Sequence, residues 1–285
     1  MAEIKTSQPA AAPPIWAPGD NGQEMPNTAR VRDYWLGGSH HTHVDRRMAE
    51  QFTLCAPHLP YLVRTHRTFL RRVVTHLVHN GVRQFLDLGS GVPTVGQVHE
   101  VAQRADPESR VVYVDLDPVV VSESRELLAG RAGTAYVQAD LCRPEEVLKA
   151  PELRAVLDLS QPVAVLVIDV LHFVPDSADP AGLLTAYANA FGPGTHVAVS
   201  HTCQDDRMVD AVRLFSDIYG FPTPSFAFRH PAEVVDLLAG FEIGEPGIVP
   251  LPLWRPDQQQ HEPDRNPEQF HACAALARSR PAECR

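Results

Sequence analysis

Asp87-Leu88-Gly89-Ser90-Gly91 is the segment best equipped for chemistry, because an apolar run ends there in a carboxylate and two glycines. Glycines at a strand end let the backbone turn tightly and come close to a ligand, at the edge where open α/β sheets bind. Asp115 closes the next apolar run, 24 residues beyond Gly91, where a carboxylate can accept hydrogen bonds from both ribose hydroxyls. Asp140 closes a third run and is placed to meet an adenine amino group. Ser90, Leu116 and Leu141 stand beside these positions. Each aspartate alone could equally cap the helix after it. Three in succession describe one nucleoside site.

The glycine pattern narrows the ligand. A dinucleotide fingerprint needs a third glycine for close helix–strand packing, and Gly89-Ser90-Gly91-Val92-Pro93-Thr94 has threonine there. No Gly-Lys-Ser/Thr follows, so a phosphate loop is excluded. An aspartate two residues before the first glycine suits a cationic ligand with an amino-acid tail. S-adenosylmethionine meets these conditions better than NAD.

The elements that must position these groups follow from periodicity. Asn27-Thr28 can cap a helix that Gly37-Gly38 stop, and Asp45 to Cys55 forms a second helix. Leu59 to His79 forms a third, with Leu62, Phe69, Val73 and Leu77 on one face. From Asn80-Gly81 onward, short apolar runs alternate with helical segments. Strands are expected at 85–88, 111–115, 134–138, 163–170 and 196–200, and helices at 95–105, 118–128 and 183–190. That alternation specifies an open, mostly parallel sheet covered by helices. The runs 241–251 and 270–276 have no helix between them, so they should pair antiparallel. The proline-rich residues 1–25 read as a mobile arm, 26–80 as an N-terminal helical lid, and 81–280 as the cofactor-binding domain. Residues 203–231 interrupt the pattern with Phe215, Tyr219, Phe221, Phe226 and Phe228. They suit a cap over an apolar substrate, or a contact between two copies in a homodimer. Trp16, Trp35 and Trp254 could line a pocket, with core packing the better role for Trp254.

Composition excludes other classes. The 285 residues carry 25 basic and 35 acidic side chains, net −10, with no basic face for nucleic acid or an anionic membrane. Five cysteines at 55, 142, 203, 273 and 284 form no CxxC pair, which makes a poor zinc site and a poor disulfide framework. The longest apolar stretch, 163–174, is broken by Asp169 and His172 and is too short to span a bilayer. No secretory signal is visible. A cytoplasmic protein acting on a small molecule is expected.

The chain resembles the class I S-adenosylmethionine-dependent methyltransferases in Asp87–Gly91, Val114-Asp115-Leu116-Asp117-Pro118 and Ala139-Asp140-Leu141. More narrowly, it is similar to an actinobacterial S-adenosyl methyltransferase family formerly called a domain of unknown function. Further carriers are Ala29–Gly38, Gly91–Thr94, Val98-His99-Glu100, Leu171–Asp176 and Trp254-Arg255-Pro256, over about residues 26 to 277. The resemblance implies a Rossmann-like α/β fold, with a seven-stranded, mostly parallel sheet whose last strand is antiparallel. It also implies that the fourth strand's end faces the transferred methyl, so His172 or Asp169 could remove a substrate proton; His172 could equally pack on the cofactor. It places Asp33 and Tyr34 over the cofactor, Tyr34 within reach of the sulfonium or methionine tail, with Trp35 beside them toward the substrate. Ser200-His201, at the fifth strand's end, is a weaker substrate contact. One departure stands out: Ser39-His40-His41-Thr42-His43 replaces the family's usual Lys-Asp-Asn-Phe/Tyr-like stretch. His40, His41 and His43 could supply a base, a substrate clamp or, least of all, a metal site, or form a solvated loop. The expected reaction is methyl transfer to oxygen or nitrogen of a small molecule, plausibly a secondary metabolite. The alternatives are aminocarboxypropyl transfer or cyclisation releasing methylthioadenosine, and a non-catalytic cofactor-binding regulator.

Overall fold

The computed structural model describes residues 25–219, 226–256 and 270–280. The arm up to residue 24, Trp16, Phe221 and Cys284 lie outside the described residues. Helices α1 (Thr28–Trp35), α2 (His43–Cys55) and α3 (Leu59–His79) lead into β1 (Gln84–Leu88), α4 (Val98–Ala105), β2 (Arg110–Asp115), α5 (Pro118–Leu127) and β3 (Thr134–Gln138). Helices α6 (Pro144–Lys149) and α7 (Pro151–Val156) precede β4 (Ala164–Ile168), α8 (Pro180–Asn189) and β5 (His196–Thr202). Then come α9 (Asp206–Tyr219), α10 (Pro231–Leu237), β6 (Phe241–Ile243), β7 (Val249–Pro250) and β8 (Ala272–Ser279).

The sheet order is β3-β2-β1-β4-β5-β8-β6, with β7 also on β8. Strands β1 to β5 pair in parallel, and β8 runs antiparallel to β5, β6 and β7. The expected antiparallel ending is present, but the sheet has eight strands rather than seven. The run 241–251 splits into β6 and β7 because a turn at Glu245-Pro246 breaks it. Helices α6, α7 and α10 fall where sequence periodicity signalled nothing.

Alternation along the strands supplies both faces. Phe85, Val111, Tyr113, Leu166 and Ala198 point into one core with Phe69, Val73 and Leu77 of α3. Leu86, Leu88, Val112, Val114, Val165 and Val167 point into the other, under Leu184 and Tyr187 of α8. Strands buried on both sides read as continuous apolar runs for this reason. The N-terminal helical region therefore divides. Helix α3 is part of the sheet's own core, whereas Val31, Trp35, Met48 and Ala49 of α1 and α2 gather with Val63 and Phe215 in a small separate cluster. Among the described residues, no helix is long and apolar enough to cross a membrane.

Candidate functional site

The strand order reverses between β1 and β4, and an open parallel sheet leaves a ligand crevice at that point, beyond the strands' carboxyl ends. The glycine turn after β1 occupies it. Gly89 and Gly91 have φ of 66° and 63°, a region costly for any residue with a Cβ. Gly89 also lies against the Val170 side chain, where a Cβ would collide. Its N–H and that of Ser90 donate to the Val114 carbonyl at 2.8 and 3.1 Å, which docks the turn on β2. Tyr136 donates to the Gly91 carbonyl at 2.8 Å and shares a 2.8 Å hydrogen bond with the Ser90 hydroxyl.

The three predicted carboxylates stand at this edge. Asp115 accepts from the Gly91 N–H at 2.9 Å and the Asp117 N–H at 3.1 Å, and burial raises its pKa. Each oxygen keeps a further lone pair, which suits a ribose diol. Leu116 is 43% exposed beside it, an apolar surface able to cover a planar ring. Asp140 is half-buried and accepts from the Cys142 N–H at 2.8 Å; the Leu141 carbonyl accepts from the Tyr187 hydroxyl at 2.8 Å. Asp87 is buried in β1, and loss of water pushes its pKa up to about 7, opposed by the positive charge of Arg67. Strand-end carboxylates, glycines at positive φ and an anion behind the turn are the donor and acceptor set that a cationic adenosine with an amino-acid tail requires. The residues present fit S-adenosylmethionine.

A second pocket, of about 90 Å³, opens beside β4. Trp35, Phe52, Phe215, Phe173, Phe226 and Phe228 wall it, and Arg32, Asp169, His172 and Thr202 make its polar side. Asp169 has φ of 53°, a left-handed conformation that aspartate tolerates better than most residues. Its carboxylate accepts from Arg32 Nη1 at 2.7 Å and from the Thr202 hydroxyl at 2.7 Å. His66 Nε2 is 3.3 Å and His172 Nδ1 3.5 Å from its Oδ1. The second contact is not aligned as a hydrogen bond, since His172 Nδ1 has no partner. Burial alone would raise the Asp169 pKa, but His66, Arg32 and His172 hold it well below the usual carboxylate range. Burial depresses His66 and His172 to about 4, so both rings are neutral near pH 7. His172 packs on Phe228 and against the edges of Phe226, with centroids 5.8 and 5.5 Å away.

The other sequence-predicted residues lie as follows. Asp33 is buried and binds the turn between α1 and α2 rather than the pocket. It accepts from the His40 N–H at 2.8 Å, meets His41 Nδ1 at 3.0 Å and accepts from the Thr94 hydroxyl. Tyr34 reaches outward to Glu50 at 3.2 Å and sits edge-on to His41. Trp35 does line the pocket, its indole N–H on Thr53 at 3.1 Å. His40 and His43 are exposed, and none of the three lid histidines lines the pocket. Among the described residues, no group of three or more His, Cys, Asp or Glu could hold a metal ion. His201 is fully buried and accepts from the Arg229 N–H at 3.1 Å, behind His172. Sequence reasoning missed Arg32, His66, Arg67 and Thr202. Arg32 belongs to a segment already under scrutiny; the other three carried no motif.

The sequence from residue 16 to 280 matches the family profile described as S-adenosyl methyltransferase. Among solved structures, the chain is similar to a DUF574 family protein from Streptomyces avermitilis, with 36% identity and a TM-score of 0.80, covering 90% of this chain and 98% of that one. It is also similar to a candidate methyltransferase from Thermobifida fusca, with 33% identity and a TM-score of 0.79, covering 90% and 96%. A search of curated proteins finds no match. With near-complete coverage on both sides and a strand-end site suited to the cofactor, the chain belongs to the S-adenosyl methyltransferase family and is an S-adenosylmethionine-dependent methyltransferase.

Proposed function

We propose that the enzyme methylates an oxygen or nitrogen of a small, flat, uncharged molecule of the secondary-metabolite kind, held in the aromatic pocket beside β4. The observation that carries this reading is the polar side of that pocket. Arg32 and Asp169 neutralise each other at 2.7 Å, and burial keeps His172 neutral. A charged acceptor would be buried there without a counter-charge, which is costly. A neutral hydroxyl or amine finds hydrogen-bond partners. About 90 Å³ is less than the roughly 150 Å³ of a cavity that accepts benzene. The acceptor is therefore no larger than a single ring, admitted as the aromatic walls move apart. The chain's net charge of −10 supports an acceptor free in solution over nucleic acid or a membrane surface.

When bound, S-adenosylmethionine supplies a methyl group made electrophilic by its positive sulfur. Asp87, Gly89, Gly91, Asp115 and Asp140 would hold it. The chain's task is then alignment, exclusion of water and acceptance of one proton. Trp35, Phe52 and Phe215 close the pocket from the lid side, and Phe173, Phe226 and Phe228 flank His172. His172 takes the proton that the acceptor's hydroxyl or amine loses as its oxygen or nitrogen bonds to the methyl carbon. Asp169 stabilises the imidazolium so formed, as a carboxylate beside a catalytic histidine does.

The test is to incubate the enzyme with methyl-labelled S-adenosylmethionine and a panel of single-ring phenols and anilines, their carboxylated analogues and bicyclic counterparts. Label should pass to neutral single-ring compounds with release of S-adenosylhomocysteine. Methylthioadenosine as the by-product would mean aminocarboxypropyl transfer instead, and preference for the carboxylated analogues would overturn the neutral pocket.

A further inference from the structure

His172 stands in the 3₁₀ turn Leu171–Phe173 that follows β4, and no group hydrogen-bonds its Nδ1. The ring is therefore placed by its backbone and its phenyl neighbours. One distant side chain holds that backbone. Phe226 and Phe228 line the pocket, whereas Arg229, next in the chain, is buried and does not. Its guanidinium makes five hydrogen bonds. Nη1 donates to the Leu171 carbonyl at 2.9 Å and the Ala227 carbonyl at 3.4 Å. Nη2 donates to the Val174 carbonyl and to Asp176 Oδ1, both at 2.7 Å, and Nε to the same Oδ1 at 3.0 Å. The Arg229 N–H donates to His201 Nε2 at 3.1 Å, which docks the segment on the end of β5. The Ala227 N–H donates to the His172 carbonyl at 2.8 Å. The carbonyls that bracket His172 are thus held by one planar fork, and its own by the neighbouring amide. An ammonium, a point charge on a flexible stem, could not serve both carbonyls and the carboxylate at once. The buried charge is balanced by Asp176, whose side chain is 81% exposed.

We propose that Arg229 is a positioning residue for methyl transfer: by bracketing the turn Leu171–Phe173 it fixes the His172 ring against the acceptor. This rests on the reading of His172 as the proton acceptor in the aromatic pocket. Proton transfer demands hydrogen-bond reach, so a ring displaced by about 1 Å loses its use. Arg229 acts on the ring's charge as well. The titratable and charged groups facing His172 are Asp169 beside it, Arg32 from α1, His66 from α3, His201 from β5 and Arg229 itself. Burial is the largest influence and favours the neutral ring; Asp169 opposes it, and the positive charges of Arg32 and Arg229 add to it. His201 gains a place in the same device. Burial keeps its ring neutral, so its Nε2 can accept the Arg229 N–H.

Kinetics and one ring contact test this together. Arg229→Met should lower kcat by roughly 10²-fold, the effect of a misplacement of about 1 Å, with acceptor KM and S-adenosylhomocysteine affinity little changed. The acid limb of its kcat–pH profile should move to higher pH, because a cation opposing the imidazolium is gone. Arg229→Lys keeps that charge and loses the fork, so it should leave the limb in place and recover only part of kcat. In a His172→Ala background, Arg229→Met should cost little more. Asp176→Ala, at an exposed side chain, spares the core and should lower kcat by a lesser factor. One readout needs no acceptor. The nuclear Overhauser effect at neutral pH between the His172 and Phe228 rings, whose centroids lie 5.8 Å apart, should weaken in Arg229→Met and Asp176→Ala. A ring contact that persists in both, a raised KM with kcat intact, or an unmoved acid limb in Arg229→Met overturns the assignment. If the contact weakens but the unmodified protein methylates no acceptor, Arg229 still sets the ring's place, and the reading of His172 as proton acceptor is what has failed.

Discussion

His172 and Asp169 hold opposite charge states in one pocket because their partners differ. His172 is surrounded by phenyl rings and loses its charge, whereas Asp169 keeps its own against Arg32, Thr202 and His66. A neutral imidazole 3.5 Å from a carboxylate has its lone pair free for the acceptor's proton, and, because burial makes it a weak base, it holds that proton only if a small ring movement brings Asp169 into a hydrogen bond with the imidazolium. His172→Ala should therefore lower turnover by about 10²–10⁴-fold and leave S-adenosylhomocysteine affinity unaltered, as kinetics and calorimetry on one preparation would show. Full turnover in the variant would leave catalysis to positioning alone. At this scale the strand-end carboxylates were legible in the sequence, because an Asp closing an apolar run is fixed at the sheet's edge by the run itself. Arg67 and His66 were not. The repeat of Leu62, Phe69, Val73 and Leu77 tells which face of α3 is buried, but not which polar residue on its flank meets a strand end.

Helices α1 and α2 owe their mutual position to one buried carboxylate. Asp45, wholly buried, accepts from the Asn27 N–H and Arg30 Nε at 2.7 Å, and from the Thr42 N–H and hydroxyl at 2.8 Å. Those four bonds cap α2, seat the start of α1 and neutralise Arg30 together, and they depress the Asp45 pKa against the opposing effect of burial. Arg32, on the same short helix, then reaches Asp169 across the pocket. Removing the charge with Asp45→Ala takes four hydrogen bonds from α1 and α2 and leaves buried Arg30 with only Glu123, at 3.2 Å, as a carboxylate partner, a loss of up to about 3–5 kcal/mol borne by these two helices rather than the sheet. Hydrogen exchange should quicken through residues 27–55 while β1 to β5 keep their protection, and S-adenosylhomocysteine should slow exchange in the same segment of the unmodified protein. Uniform protection across both proteins would make the lid a fixed wall. Helices α1 and α2 were readable from Asn27, Gly37 and the α2 periodicity. The separation of α1–α2 from α3 was not, since it depends on which apolar faces meet in space, and Phe215, which joins the small cluster, comes from α9 far along the chain.

For the whole molecule, burying so many neutral histidines at one sheet edge links folding to acid. His66 and His172 are held near pKa 4 and His201 near 3, in each case chiefly because the ring has left water, against about 6.5 in the unfolded chain. A depressed pKa means that the unfolded state takes up protons the native state refuses. The stability from these rings is therefore complete above pH 6.5 and is lost as pH falls toward 4. Asp87 works the other way: held near 7 by burial, it gives the native state one extra proton between about pH 4 and 7. Among these four groups the unfolded state is ahead by roughly two protons, roughly 2–3 kcal/mol lost per pH unit; burial lowers His58, His76, His99 and His196 as well, in the same direction, and raises Asp115 against them. A domain with about 5–15 kcal/mol in hand cannot sustain that slope for long. Below pH 4 the Asp169 carboxylate, held low by its cationic neighbours, adds to the loss. Urea titrations should show the unfolding midpoint falling steadily from pH 7 to 5, and His66→Gln, which removes one of the linked rings, should lessen that fall by up to about 1.4 kcal/mol per pH unit, the worth of one proton. A midpoint that stays level or rises over this range would show that the rings are not buried neutral, and with them would go the pocket's claim to a neutral acceptor.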